Sequence, residues 1–269
     1  MASSFFSTNS PTSIFNAPVE AFLSATPLTG AVRKHVAGVY TTLASMMAVT
    51  ALTVYLDVGR WVPVLANRWI SGLMLLASVI AFHVLSPTKP NLARRSMLLA
   101  GIAVLKGVAL VPFVETLGFV SPRIVPQATV YAATLFASFS LAAMNANRRA
   151  VIYTTGAIGA VTAVSLLSLL GRLFGFGPSF SFDLVLGIVA FSLYIVLDTQ
   201  VMIFRAQQVA SWDAVTKSHM QLTQAAELYE DLVALFVRIA MFLAQNESRK
   251  KKAEEEEDDR RGRGSTRRR

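Results

Sequence analysis

The stretch Phe191-Ser-Leu-Tyr-Ile-Val-Leu-Asp198-Thr-Gln-Val-Met-Ile203 is a long, largely apolar run with an acid in its middle. A second acid, Asp231, lies in the next such run, Leu228-Tyr-Glu-Asp231-Leu-Val-Ala-Leu-Phe236. If both runs are membrane helices, each ionised carboxylate costs roughly 3 kcal/mol or more at bilayer depth, so such residues normally face a partner or a water-filled path. Asp198 and Asp231 are therefore the first candidate functional residues.

Composition places the whole chain in the membrane class. Apolar residues make up 54% of the sequence and charged residues 15%, against roughly 25% charged in soluble proteins. Apolar stretches of the roughly 17 to 25 residues that cross a bilayer recur along the chain. They lie at about residues 36–56, 69–85, 97–117, 125–144, 151–174 and 182–204, with a weaker seventh at 222–244. The predicted fold class is all-α, a polytopic transmembrane bundle of six to seven helices.

The termini differ from the membrane region in composition. Residues 1–33 lack the compact apolar core of a cleavable signal, and we expect a flexible cytosolic tail followed by a membrane domain over residues 34–245. Residues 246–269 alternate basic and acidic blocks, which predicts a charged, disordered tail. The basic blocks are expected to bind anionic lipid headgroups or calmodulin. The Arg-Gly-Arg-Gly repeat is too short to indicate nucleic acid.

Loop charges predict the orientation of the chain. Lys and Arg are enriched in short cytoplasmic loops, and here they concentrate before span one and in alternate connections, which predicts a cytosolic amino terminus. Seven crossings would then place the carboxyl end on the far side, whereas the basic residues 249–252 argue for the cytosol. Three acids within residues 227–231 favour a re-entrant or cavity-lining seventh segment. Six crossings plus a re-entrant element are therefore preferred over seven spans.

Helical spacing separates the acids of the seventh segment. Glu227 and Asp231 are four residues apart and share a helix face, while Glu230 lies about 60° round from Glu227. Glu230 is expected to be a surface position of an amphipathic helix. Asp231, with an apolar run behind it, is expected to be functional. For Asp198 the alternative is a structural carboxyl that locks two helices together.

The sequence contains no motif that indicates an enzyme. There is no cysteine, which excludes disulfides and thiolate metal sites. The three histidines are scattered, with His219 expected in a loop, and their spacing does not make a metal site. We find no Ser-His-Asp arrangement, phosphate-cradling glycine loop or zinc-protease motif. We therefore expect no enzyme and no cofactor.

Several stretches together resemble the Bax inhibitor-1 family, also called the transmembrane Bax inhibitor motif family. They are His35-Val-Ala-Gly-Val-Tyr40, the third span from Leu99 to Glu115, Leu197-Asp198-Thr-Gln200, and Glu227-Leu-Tyr-Glu-Asp231-Leu-Val-Ala-Leu-Phe236. The resemblance runs over about residues 27–252, and the basic residues after the last span are similar to the tail of the eukaryotic branch. The chain departs from the family pattern at Leu197, Glu230 and Lys106.

The resemblance implies a helix bundle around a central helix, in which Asp198 and Asp231 meet and gate a proton-sensitive calcium leak. Two carboxylates within about 4 Å repel by roughly 4 kcal/mol at an effective dielectric of 20, so one proton is shared near neutral pH. Calcium prefers oxygen ligands and would compete with that proton as a transient occupant. Arg94 or Arg95 is expected to act as a latch. The auxiliary acids would be Glu227 and Glu115.

Two functional classes remain open from the sequence. The first is a calcium leak channel, expected in the endoplasmic reticulum membrane, whose lowering of stored calcium restrains cell death. The second is a non-conducting regulator that acts through contacts with other membrane cell-death proteins. A purified, reconstituted conductor would move calcium without any partner, which distinguishes the two.

Residues inside two spans bear on how the helices meet. Lys106 is a cation in the middle of span three, where it needs a counter-ion or a path to the interface. Glu115, two and a half turns further on, is too distant to be that partner, so Lys106 is expected to extend toward the interface alone. In span five, Gly156 and Gly159 predict close helix packing.

Overall fold

Helices account for almost all of the chain that the structure describes. The computed structural model describes residues 30–56, 61–62, 65, 67–144, 149–174, 179–208 and 213–266. Within these ranges the structure has no strand and seven α-helices, with a short 3-10 turn at Lys89–Asn91. The helices are α1 (Gly30–Leu56), α2 (Arg68–Val84), α3 (Leu92–Val120), α4 (Ile124–Met144), α5 (Arg149–Leu173), α6 (Phe180–Gln208) and α7 (Ala214–Thr266). The all-α prediction is confirmed.

Most of these helices are suited to a bilayer. By length and composition, α1, α3, α4, α5 and α6 can cross a membrane. The shorter α2 has 17 residues, which gives about 26 Å of helix against a hydrocarbon core of roughly 30 Å. The chain is therefore a multi-pass integral membrane protein.

The seventh helix is the centre of the bundle. It packs against α1, α3, α4 and α6, and its buried apolar side chains point to several sides of the helix. They are Ala225, Leu228, Tyr229, Val233, Leu235, Ile239 and Ala240. Because its neighbours cover it, α7 can carry acids at a depth where a lipid-facing helix could not. The predicted central helix is confirmed.

Two contacts show that α7 runs along the whole of α3. Near its start, Nε2 of His219 lies 3.0 Å from the carbonyl oxygen of Thr88, just before α3 begins. Near the far end, Nζ of Lys251 donates to the carbonyl oxygen of Val120, the last residue of α3, across 2.6 Å. Over residues 214–266 the helix is continuous and runs beside α3. The re-entrant path preferred from the sequence concerns the position of α7 in the bilayer and stays a prediction. The acids of α7 lie between helices and do not require a break in the chain.

The carboxyl-terminal region is helical where a disordered tail was expected. The sequence predicted disorder from residue 246, whereas α7 continues to Thr266. Oppositely charged residues four positions apart support this extension, because such pairs are neighbours on a helix surface. The pairs are Lys250 with Glu254, Lys251 with Glu255, and Lys252 with Glu256. The flexible tail predicted over residues 1–33 lies largely outside the described residues.

Close helix approach occurs at a different glycine from those predicted. A Cβ atom on Gly107 would lie 2.6 Å from Cβ of Thr53, so α1 and α3 meet at this point with no room for a side chain. A Cβ on Gly156 or Gly159 would meet nothing within 4 Å. The packing prediction for span five is therefore wrong, and α5 packs chiefly against α6 alone.

Candidate carboxylate centre

Helices α6 and α7 bring the side chains of Asp198 and Asp231 together. The two carboxyl groups lie close enough for each to act electrostatically on the other. Asp231 is only 7% exposed, and Asp198 is partly buried. Oδ2 of Asp231 is buried and has no hydrogen-bond partner in the described part of the chain. Two carboxylates placed in this way repel each other and are poorly solvated, so a proton or a cation between them is favoured.

Two further acids surround this pair, and each has a basic partner. Oε1 of Glu227 lies 3.8 Å from Nη1 of Arg205 on α6. Oε2 of Glu230 lies 2.6 Å from Nζ of Lys106 on α3. In the described part of the chain, neither basic group forms an ion pair with Asp231. We call Asp198, Glu227, Glu230 and Asp231 the carboxylate centre. It consists of an inner pair of aspartates and two outer glutamates, each of which has a basic partner.

The ion pair of Lys106 corrects the interpretation of that residue. The sequence predicted a lysine extending alone to the interface, yet its ammonium group binds Glu230. The pairing arises because α3 lies alongside α7 on the side to which Glu230 points. A cation and an acid at similar depth in two spans, both unexplained, were the signal in the sequence that would have indicated the pair.

A buried hydroxyl contact holds α7 beside the acids. The hydroxyl group of Tyr229, a fully buried residue, lies 2.7 Å from Oγ1 of Thr50 on α1. The same Oγ1 also lies 3.0 Å from the carbonyl oxygen of Ala103 on α3. Since Tyr229 directly precedes Glu230, this contact restrains the rotation of α7 where the acids lie. The sequence analysis did not identify Thr50 or Tyr229.

The surroundings of Asp198 on α6 are polar. Thr199 is fully buried and its Oγ1 lies 3.4 Å from Oγ of Ser140 on α4. The side-chain amide of Gln200 is buried, and neither its nitrogen nor its oxygen has a hydrogen-bond partner among the described residues. Buried amide groups normally bind protein or water. Two polar side chains thus follow Asp198 directly on α6, on faces about 100° and 200° round the helix from it.

Arg95 does not form the predicted latch on the aspartates. Its Nη1 donates to Nδ1 of His219 across 3.2 Å, and its Nη2 donates to Oγ1 of Thr223 across 3.0 Å. The guanidinium group also lies over the ring of Phe82, 4.5 Å from the centroid. His219 precedes Asp231 by twelve residues, or about 18 Å along the helix axis, which is too far for Arg95 to bridge. His219 itself is buried within α7 and not in a loop as predicted.

The remaining predicted site residues lie apart from the inner pair. Arg94 is exposed and borders an apolar groove between α2 and α3 with Leu85, Met97 and Leu98. Glu115 is exposed on α3, about 13 Å along the helix axis from Lys106. Over the described residues, no group of three or more histidines, aspartates or glutamates is arranged to hold a metal ion. Two carboxyl groups alone suit a hard cation as a passing occupant.

Comparisons with known proteins agree on one family. The family model described as "Inhibitor of apoptosis-promoting Bax1" matches residues 32–248, which include all four acids of the carboxylate centre. The protein named Bax inhibitor 1 in Mus musculus is 31% identical over 237 residues, covering 86% of this chain and 94% of the relative. The one in Homo sapiens is 30% identical with the same coverage. The one in Arabidopsis thaliana is 32% identical over 225 residues, covering 82% of this chain and 84% of the relative.

Proposed function

Because this chain belongs to the Bax inhibitor-1 family, we propose that it is a pH-sensitive calcium leak channel that suppresses cell death. The gate in this proposal is the inner pair, Asp198 and Asp231. The membrane we propose is that of the endoplasmic reticulum, where a leak that lowers stored calcium would restrain cell death.

The observation that carries the proposal is the nearness of the two aspartate carboxyl groups, each of which acts on the other. At about 4 Å two ionised carboxylates repel by roughly 4 kcal/mol at an effective dielectric of 20. A single proton shared by the pair removes this repulsion. A calcium ion between the carboxylates removes it as well, because calcium takes carboxylate oxygens as ligands. Protons and calcium therefore compete for one position, and the leak depends on pH.

The outer acid Glu227 supports an approach to this position from one end of the bundle. The side chain of Glu227 is 39% exposed and that of its partner Arg205, close to the end of α6, is 44% exposed. Glu227 also lies four residues before Asp231 on the same face of α7. An ion that enters past Glu227 meets the inner pair one helical turn further on.

Calcium efflux from liposomes tests the proposed gate. The purified protein is reconstituted in calcium-loaded vesicles, and efflux is recorded over a series from mildly acidic to mildly alkaline pH. We expect Asp198→Asn and Asp231→Asn to abolish the pH dependence. Glu255→Gln, which removes an exposed acid of the carboxyl-terminal helix, serves as the control and should keep the wild-type profile. Aspartate variants with an unchanged profile would contradict the gate.

The same preparation addresses the alternative role. Wild-type protein that moves no calcium at any pH would favour a non-conducting regulator that acts through other membrane cell-death proteins. Imaging of the tagged full-length chain against an endoplasmic reticulum marker tests the proposed compartment.

A further inference from the structure

The ion pair between Lys106 and Glu230 brings two charged residues together beside the inner aspartates. Its atoms are 2.6 Å apart, and the two side chains are 24% and 48% exposed. At membrane depth each charge needs a partner, so the ion pair has a structural role. Its position next to Asp231 gives it an electrostatic effect as well.

The ion pair of Lys106 and Glu230 acts on the electrostatic potential at Asp198 and Asp231. Glu230 directly precedes Asp231, and its charge interacts with that carboxyl group. Lys106 places a positive charge against Glu230 and so offsets part of this effect. Without Lys106, Arg205 would be the basic residue left in an ion pair with these acids among the described residues. His83 of α2 also acts on the centre, through Glu227.

Passage of an ion requires binding that is weak enough for release. Calcium sites bind more tightly as carboxylates are added to them. Because the ammonium group of Lys106 binds Glu230, that carboxylate is not available to the ion. The negative potential of the centre is also weaker.

We propose that Lys106 is a tethered cation that sets the calcium affinity of the inner pair, keeping it low enough for release. This inference rests on the proposed function of the pair as a calcium gate. Lys106 is in this view a residue that determines affinity through Glu230 and does not itself contact the ion.

Removing the positive charge of Lys106 and removing the negative charge of Glu230 should shift the calcium affinity in opposite directions. Lys106→Met should lower the Kd for calcium by about tenfold and raise the midpoint of the pH profile of efflux, because protons are also held more strongly. Glu230→Gln should weaken calcium binding and lower that midpoint. The double variant restores the local charge balance and should return both quantities toward the wild-type values. Lys106→Arg, which keeps the positive charge, should leave both the Kd and the midpoint close to the wild-type values.

The measurements are isothermal titration of the purified protein with calcium and efflux from calcium-loaded liposomes. If the ion pair merely joined α3 to α7, both single variants would lose the same contact and shift in the same direction, which would overturn the proposal. Unchanged affinity and midpoint in Lys106→Met would overturn it too. Should Lys106→Met fail to fold, the direction of the shift in Glu230→Gln decides alone.

Failure of this inference is distinguishable from failure of the gate. Wild-type protein with no efflux, or with a pH profile that Asp198→Asn leaves unchanged, removes the proposed function and this inference with it. If efflux changes in Asp198→Asn but not in Lys106→Met or Glu230→Gln, this inference alone is contradicted.

Discussion

Arg95 donates a hydrogen bond from Nη1 to Nδ1 of His219 across 3.2 Å, which joins the start of α3 to the start of α7. A guanidinium group can only donate, so Nδ1 accepts and the ring proton lies on Nε2. Nε2 in turn donates to the carbonyl oxygen of Thr88 across 3.0 Å. His219 therefore connects α7 both to α3 and to the segment that precedes α3.

Replacing this histidine should destabilise the bundle. In His219→Ala, a donor of the buried Arg95 and the carbonyl oxygen of Thr88 lose their partner, at a cost of roughly 1–3 kcal/mol. Thermal unfolding in detergent measures the loss. His83→Ala is the matched control, because His83 is exposed and bonds to a carbonyl oxygen of its own helix. Its effect should stay within about 0.5 kcal/mol, and equal losses in the two variants would contradict the connecting role of His219.

The contact between α1 and α3 at Gly107 makes a second prediction. The Cβ of Gly107→Ala would lie 2.6 Å from Cβ of Thr53 and 3.0 Å from the carbonyl oxygen of Thr50, so the helices must separate. We expect a loss of about 1–3 kcal/mol in the free energy of unfolding. Gly156→Ala provides the comparison, since its Cβ meets nothing within 4 Å. That variant should be neutral or up to about 1 kcal/mol more stable, because alanine favours helices. If Gly156→Ala were destabilised and Gly107→Ala unaffected, the assignment of the close helix contact to Gly107 would be contradicted.

Asp213 predicts a pH dependence at the start of α7. Its Oδ2 accepts from the backbone nitrogens of Val215 and Thr216, each at 3.0 Å, and its Oδ1 accepts from Oγ1 of Thr216 at 2.6 Å. Hydrogen bonds from Thr216 hold the pKa of Asp213 below its usual value. A carboxyl group with a lowered pKa stabilises the folded state above its unfolded pKa, and this contribution is lost as the pH falls through the folded pKa.

Amide hydrogen exchange of the first turn of α7 measures this effect. The protection factors of Val215 and Thr216, which correct for the intrinsic pH dependence of exchange, should fall on acidification in the wild type. In Asp213→Asn, whose side chain also caps helices but does not titrate, the acid-induced change should disappear. A variant that retains it would show that another group is responsible.

The course of α7 along α3 predicts the side of the carboxyl terminus. Thr88 and Val120 lie at the two ends of α3, and α7 contacts both. A glycosylation acceptor in the connection between α2 and α3 and one appended after the last residue should therefore report opposite sides of the membrane. Acceptors on the same side would mean that α7 does not cross, as the basic residues 249–252 suggest under the positive-inside rule.

The helices and the candidate acids could be predicted from the sequence because both depend on local pattern. A membrane crossing needs continuous apolar length, and each such run coincides with a helix. Asp198 and Asp231 stand out because a carboxylate in an apolar run is costly wherever the neighbouring helices lie. Their role as a gate stays a prediction.

Contacts between distant segments could not be predicted in this way. Lys106 and Glu230 are 124 residues apart, and they meet only because α3 and α7 are rotated toward each other. Spacing likewise did not show that Gly107 faces another helix while Gly156 does not. His219 lies in a polar stretch typical of a loop, yet Arg95, Thr88 and the continuing helix enclose it.

The length of α7 has a consequence outside the bilayer. The helix continues from Lys251, level with the end of α3, to Thr266, a rise of about 22 Å. The Debye length at physiological ionic strength is about 8 Å. The last described turn of α7, at Thr266, thus lies more than two Debye lengths beyond the end of α3, and the helix carries this segment away from the charges of the bundle.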